Sequence, residues 1–261
     1  MNISLKGKKA LVGGSSRGIG RAIARQLAES GAGVTLMARS RDTLEELVSR
    51  LPADRGQEHG YLVVDFEDYR GYSRQIESYF EGHAVDILVN NTQGPPAGNS
   101  LEENTEAYQK AFDLLFKTVH FTTQCALKHM QGQNWGRIIN VASISVKEPL
   151  PYLALSNTIR AAVVTWAKTL ATDVGPYGIT VNNILTGYFD TERISQLNTK
   201  KAEQLGISRE KVREEMESRV PVGRIGIPRE YGYLVAFLAS DQAAYLTGTS
   251  IPLDGGLLKS L

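Results

Sequence analysis

The chain has 261 residues, 42% of them apolar, a net charge of +1 and a single cysteine. That is enough apolar material for one large core, while the near-zero charge excludes the basic footprint of a nucleic-acid binder. Cys125 has no cysteine to pair with, so it reads as core filler in a reducing, cytoplasmic setting. No apolar run reaches the roughly eighteen residues of a membrane span, and the opening MNISLKGKKALV predicts no secretion signal.

Short β-branched runs alternate with longer amphipathic stretches. In chain order the predicted strands are KALVG at 9–13, VTLMA at 34–38, YLVV at 61–64, ILVN at 87–90, RIINV at 137–141, ITVNNIL at 179–185 and SIPL at 250–253. The helical period predicts a helix from Ile19 to Ser30, with Ile23, Ala24 and Leu27 on its apolar face, and a long helix from about Thr105 to Met130. Strands separated by helices need crossovers, and right-handed crossovers build a parallel sheet covered on both faces. The expectation is one doubly wound α/β domain of Rossmann type with seven parallel strands; the near-continuous apolar strands agree. The charged, helix-prone stretch from Asp190 to Arg224 is expected to form a lid over a ligand site, with Ser208 capping a helix inside it. The alternative is a solvated helical hairpin.

The first strand runs into Gly13-Gly14-Ser15-Ser16-Arg17-Gly18-Ile19-Gly20 and then into a helix. Glycines permit the tight turn and let backbone N–H groups approach a pyrophosphate at the helix N-terminus, while Gly20 allows the helix to pack closely. Placed strand-turn-helix, the pattern predicts a dinucleotide site. An acid at the end of the second strand would accept from a free ribose 2′-hydroxyl. Here the chain reads Ala38-Arg39-Ser40-Arg41, so Arg39, with Arg17 reaching from the glycine turn, predicts a 2′-phosphate and therefore NADP(H). Asp65, closing the third strand, is a candidate acceptor for the adenine amino group or, alternatively, a helix cap.

With these pieces the sequence resembles the short-chain dehydrogenase/reductase family, in its ketoacyl-carrier-protein reductase-like branch. The likeness runs from about Leu5 to Gly256 through ALVGGSSRGIGRAIA, LVNN at 88–91, GRIINVAS at 136–143, TVNNILTGYFDT at 180–191, VPVGRIGIPREYG at 220–232 and YLTGTSIPLDGG at 245–256. The resemblance implies a small-molecule substrate, a homodimer or homotetramer, and no nucleic-acid or membrane partner. It also implies cofactor contacts from Gly14, Ser16, Arg17 and Ile19 in the turn and from Arg39, Asp65, Phe66 and Asn91 beside it. Arg160, Gly187, Phe189 and Thr191 would serve the nicotinamide half.

Such enzymes polarise a carbonyl and move a proton with Ser, Tyr, Lys and a helical Asn, the cofactor carrying the hydride. Ser143 matches the serine. The tyrosine position falls on Ser156, the lysine on Arg160 and the helical asparagine on Leu115. A serine hydroxyl is a far weaker acid than a phenol, and a guanidinium can hold an anion or a ribose but hardly ever gives up its proton. Tyr152 is a candidate stand-in if the helix begins early, although Pro149 and Pro151 argue that it does not, leaving a loop aromatic beside the pocket. Lys147 and His120 read as a solvated lysine and a packing histidine. The leading expectation is an NADP(H)-dependent oxidoreductase for a carbonyl or alcohol, 3-oxoacyl thioesters included, with an altered proton relay at Ser143, Ser156, Arg160 and Tyr152. The alternatives are non-redox elimination or isomerisation on the same fold, and a non-catalytic dinucleotide-binding subunit.

Overall fold

The computed structural model describes residues 3–260. Seven strands, β1 (Lys9–Gly13), β2 (Gly33–Ala38), β3 (Gly60–Val63), β4 (Ile87–Asn90), β5 (Gly136–Val141), β6 (Ile179–Thr186) and β7 (Ser250–Leu253), pair in parallel in the order β3-β2-β1-β4-β5-β6-β7. The order reverses between β1 and β4, and ligands of open α/β sheets bind beyond the strand C-termini at such a reversal.

Side-chain alternation along the strands divides the core in two. Ala10 and Val12 of β1, with Ile139 and Val141 of β5, pack beneath α1 (Gly18–Glu29), α2 (Arg41–Ser49) and α9 (Pro228–Ala239). Leu11 and Ile138 face the opposite way, onto α3 (Tyr69–Gly82), α4 (Thr105–Phe112), α5 (Thr118–Gln133) and α6 (Ala154–Val174). Period-two burial on both faces is what a doubly wound sheet requires.

Most predicted elements stand within a residue or two of their observed bounds. The third strand ends at Val63, one residue before the YLVV run does, and Ser30 is the C-cap of α1 rather than its last residue. The long helix is the main correction. It runs as α4, then a π-helical turn over Asp113–Lys117, then α5. Nothing in DLLFK breaks an α-helical apolar period, so the widened turn left no mark on the pattern. Cys125 is a second correction, being only partly buried at the edge of the α3–α5–α6 cluster. No helix among the described residues is long and apolar enough to cross a membrane.

Polar residues also cross the sheet near its C-terminal edge. Asn90 donates to Asn140 (2.9 Å), Asn140 to Asn183 (2.9 Å) and Asn183 to Ser250 (3.2 Å). Each of these buried amides is thereby supplied with a partner across neighbouring strands.

Candidate active site

The glycine turn is tied at the sheet edge to the ends of both neighbouring strands, β4 and β2. The Asn91 amide donates to the carbonyls of Gly13 (3.0 Å) and Gly14 (3.4 Å). The hydroxyl of Ser15, wholly buried, accepts from Met37 N at 2.8 Å, fixing the end of β2 beside the turn. Gly14 and Gly18 have φ of 55° and 54°, in the left-handed region that favours glycine. Ser16 and Ile19 lie half-buried along the same turn. A cradle of this shape, opening onto the N-terminus of a twelve-residue helix, suits a pyrophosphate.

Arg39 is exposed just past β2 and pairs with no carboxylate among the described residues. Arg17 is committed elsewhere in this structure. It forms an ion pair with Glu192 at 2.8 Å, linking the glycine turn to the first residue of α7 (Glu192–Leu205). Both side chains are more than half exposed, so the pair contributes little stability. A 2′-phosphate would have to compete with it for Arg17. The Glu192→Gln variant is therefore expected to bind NADPH about two- to fivefold more tightly in a fluorescence titration, matching the loss of one exposed ion pair.

Asp65 is not the helix cap; its carboxylate accepts from Glu67 N (3.0 Å), while Asp68 caps α3. Asp65 stands two residues past β3 and is exposed. Phe66 packs its ring against Tyr72, so any contact it makes with a ligand comes from the main chain. Gly187 lies against Asp254, where a Cβ would come within 2.6 Å of Asp254 Cα. Phe189 is buried against Tyr231, and Thr191 caps α7 within reach of Gly18. The stretch from Asp190 to Arg224 forms two helices, α7 and α8 (Arg209–Glu217), with Ser208 capping the second as expected. Arg193 of α7 reaches the carbonyl of Pro95 (3.2 Å), which ties α7 to the loop after β4.

At the same C-terminal edge of the sheet, Ser143 follows β5 and heads a short 3-10 turn over Ile144–Val146. Its hydroxyl oxygen accepts from Ser145 N (3.1 Å), leaving its proton for another acceptor. Ser156 and Arg160 stand four residues apart on α6 and so share a face. Arg160 donates to the carbonyl of Val141, two residues before Ser143. Burial pulls the guanidinium below its usual pKa, with the nearby Tyr231 opposing the shift. The Ser156 hydroxyl makes no hydrogen bond with the described residues. Helix α6 begins at Ala154, so Tyr152 precedes it in the loop, half-exposed, its main chain paired with Gly98. Burial raises the Tyr152 phenol, with Tyr188 adding to the shift and Arg219 opposing it.

Leu115 lies inside the π-helical turn and shares a small cavity with Arg160, Asn90 and Asn140. The replacements at 115 and 160 therefore meet at one place. Lys147 is exposed just past the 3-10 turn, and His120 stacks on Phe116 at 6.0 Å, a packing role.

Sequence reasoning missed two residues of this region. One is Ser15, whose hydroxyl joins turn to strand. The other is Tyr231, fully buried on α9, whose hydroxyl is 3.0 Å from that of Thr186 at the end of β6. Burial drives its phenol far above the usual value, so it stays protonated. The one available signal was Tyr231 itself, a phenol at the head of the apolar pattern YGYLVAFLA that needs a buried partner.

A sheet-edge glycine cradle, a serine past β5 and a helical pair beside it define a nicotinamide-dependent oxidoreductase framework, and the comparisons agree. The family model described as enoyl-(acyl carrier protein) reductase matches residues 14–258. The chain belongs to the short-chain dehydrogenase/reductase family. It is 35% identical to 3-oxoacyl-[acyl-carrier-protein] reductase FabG of Haemophilus influenzae, over 98% of this chain and 100% of the relative. It is 31% identical to the NADPH-dependent reductase BacG of Bacillus subtilis, over 97% and 99% respectively. Among solved structures, L-sorbose reductase from Gluconobacter frateurii, complexed with NADPH and L-sorbose, superposes with a TM-score of 0.93 at 31% identity, covering 100% of both chains.

Proposed function

We propose that this chain is an NADP(H)-dependent reductase that interconverts a carbonyl and an alcohol through a proton relay different from that of its relatives. The observation that carries the cofactor choice is Arg39, exposed at the end of β2 without a carboxylate partner and with no acid from Ala38 to Arg41. A guanidinium there can fork onto a 2′-phosphate. The relatives named for a substrate act on 3-oxoacyl carrier-protein thioesters and on L-sorbose, both carbonyl compounds, which supports reduction as the common chemistry.

When bound, the nicotinamide supplies or takes the hydride. The Ser143 hydroxyl donates to the substrate oxygen; Ser145 N takes one of its lone pairs and leaves its proton for that bond. Arg160 supplies a fixed positive charge at the sheet edge and can hold the nicotinamide ribose, but it does not exchange protons. Ser156 is a weak acid beside it, so the final proton comes from solvent or through a serine-bound water rather than from a phenol. Tyr152 lines the substrate mouth, and α7 with α8 forms its lid. The assembly proposed is two or four copies of this chain, in the cytoplasm.

Titration with both nicotinamide cofactors tests the reading. NADPH is expected to bind at least about tenfold tighter than NADH, with Arg39→Asp removing the preference. NADPH oxidation with a panel of ketones and an acetoacetyl thioester should be lost in Ser143→Ala. Tighter NADH binding would overturn the cofactor assignment. Substrate turnover with no change in nicotinamide absorbance would favour elimination or isomerisation, in which Arg160 holds a substrate anion.

A further inference from the structure

The segment after β7 folds back onto the serine turn. The Asp254 carboxylate accepts from Gly256 N (2.9 Å) and Leu258 N (2.8 Å), reversing the chain. Leu257 and Leu258 then pack against the cluster of Ala142, Ile144 and Leu185, joined by Val146 and Val164. Beyond them, Glu148 Oε1 accepts from both Lys259 N and Ser260 N, each at 2.8 Å. Those two backbone donors hold the Glu148 carboxyl below its usual pKa, so it is ionised at neutral pH. Ala142, Leu185, Asp254 and Gly256 lie within the family motifs, whereas Glu148, Lys259 and Ser260, which close the contact, do not.

These contacts converge on Ser143 from both sides. Ala142 and Ile144 are its chain neighbours, and Glu148 N donates to Ile144 O (3.2 Å), just beyond the turn that Val146 N closes on Ser143 O (3.3 Å). Ser145 N occupies one lone pair of the Ser143 hydroxyl, so the orientation of the turn decides where the serine proton points. A 3-10 turn of three residues has few bonds of its own to fix that orientation. Here a leucine pair and a charge-assisted pair of hydrogen bonds supply the missing restraint.

We propose that Glu148 and the Leu257–Ser260 segment form a clasp that positions the Ser143 hydroxyl, Glu148 acting as a positioning residue and touching no reacting atom. The kinetic part rests on the carbonyl-reductase reading above; the clasp itself can be read without turnover. Glu148→Ala removes the shared acceptor, Glu148→Gln keeps an oxygen that can accept both N–H groups, and Leu257→Ser with Leu258→Ser removes the apolar half.

Amide hydrogen exchange of residues 142–148, measured on the full chain, is expected to quicken about tenfold in Glu148→Ala and in the leucine variant, and to stay near wild type in Glu148→Gln. With NADPH and an acetoacetyl thioester as probes, kcat should fall about tenfold in the first two variants, while KM and the NADPH affinity stay within about twofold. Glu148→Gln should restore most of kcat. Unchanged exchange in folded Glu148→Ala overturns the clasp, and so does an equal loss of cofactor affinity and kcat, which would mark a general loss of structure. A wild-type protein without NADPH turnover would defeat the reductase reading alone, because the exchange of residues 142–148 still decides the clasp.

Discussion

Replacing Ser156 by Tyr and Arg160 by Lys together is expected to raise NADPH-dependent ketone reduction by about 10²-fold or more, the gain that a positioned proton donor confers. The two positions share one face of α6, and the Ser156 hydroxyl has no partner that a larger side chain would have to displace. A phenol titrates near 10 and falls lower beside an ammonium, which makes it a usable acid at neutral pH. Ser156→Tyr alone should give much less. Arg160 would remain bonded to the Val141 carbonyl, and a guanidinium neither reprotonates the phenol nor passes protons on. Adding Leu115→Asn should increase the gain, because Leu115 and Arg160 line the same small cavity. In the alcohol-oxidation direction the double variant should acquire a rate that rises with pH as the new phenol ionises. The parent chain has no such group at this position. Steady-state kcat against pH for the single, double and triple variants measures all of this. An unchanged kcat in a folded double variant would show that proton transfer does not limit the reaction.

The sheet was legible because its central strands β4, β5 and β6 are buried on both faces and read as apolar runs, and even the partly buried edge strands β3 and β7 keep short apolar runs. The glycine turn was legible for a different reason: its residues are fixed by backbone conformation and close approach, which few alternatives satisfy. Ser143, two residues past β5, could be placed only through the resemblance, in the motif GRIINVAS. What lay hidden is of two kinds. The π-helical turn at Asp113–Lys117 is a change of hydrogen-bond register within a continuous helix, and DLLFK carries no residue that demands it. The Asn90–Asn140–Asn183–Ser250 chain and the Tyr231–Thr186 bond are pairings between residues 40 to 70 positions apart, which a periodicity cannot reveal. Arg17 shows a third limit. Its residue type suits a phosphate, yet its partner in this structure is Glu192, brought near only by the fold.

A methyl group on Gly20 is expected to abolish cofactor binding and to destabilise the fold by roughly 3 kcal/mol, the upper part of the range for overpacking a closed site. The added Cβ would lie 2.2 Å from the Gly14 carbonyl oxygen and 2.8 Å from Asn91 Nδ2. The first is main chain, pinned by the bonds that Asn91 makes to Gly13 and Gly14, so it cannot swing aside as a flexible side chain would. Relief requires α1 to move away from β1 or the turn to open, and either displaces the helix N-terminus that receives the pyrophosphate. Gly132 provides the contrast. It lies exposed in α5 with nothing within 4 Å of an added Cβ, so Gly132→Ala should stabilise by about 0.5–1 kcal/mol through its helix preference alone. Thermal unfolding with and without NADPH distinguishes the two. Gly132→Ala should keep the full cofactor-induced rise in Tm, whereas Gly20→Ala should start lower and show no rise. A Gly20→Ala protein that binds NADPH as the parent does would mean that the dinucleotide sits elsewhere on the sheet edge, and the roles given to Arg39, Arg160 and Ser143 would fall with it.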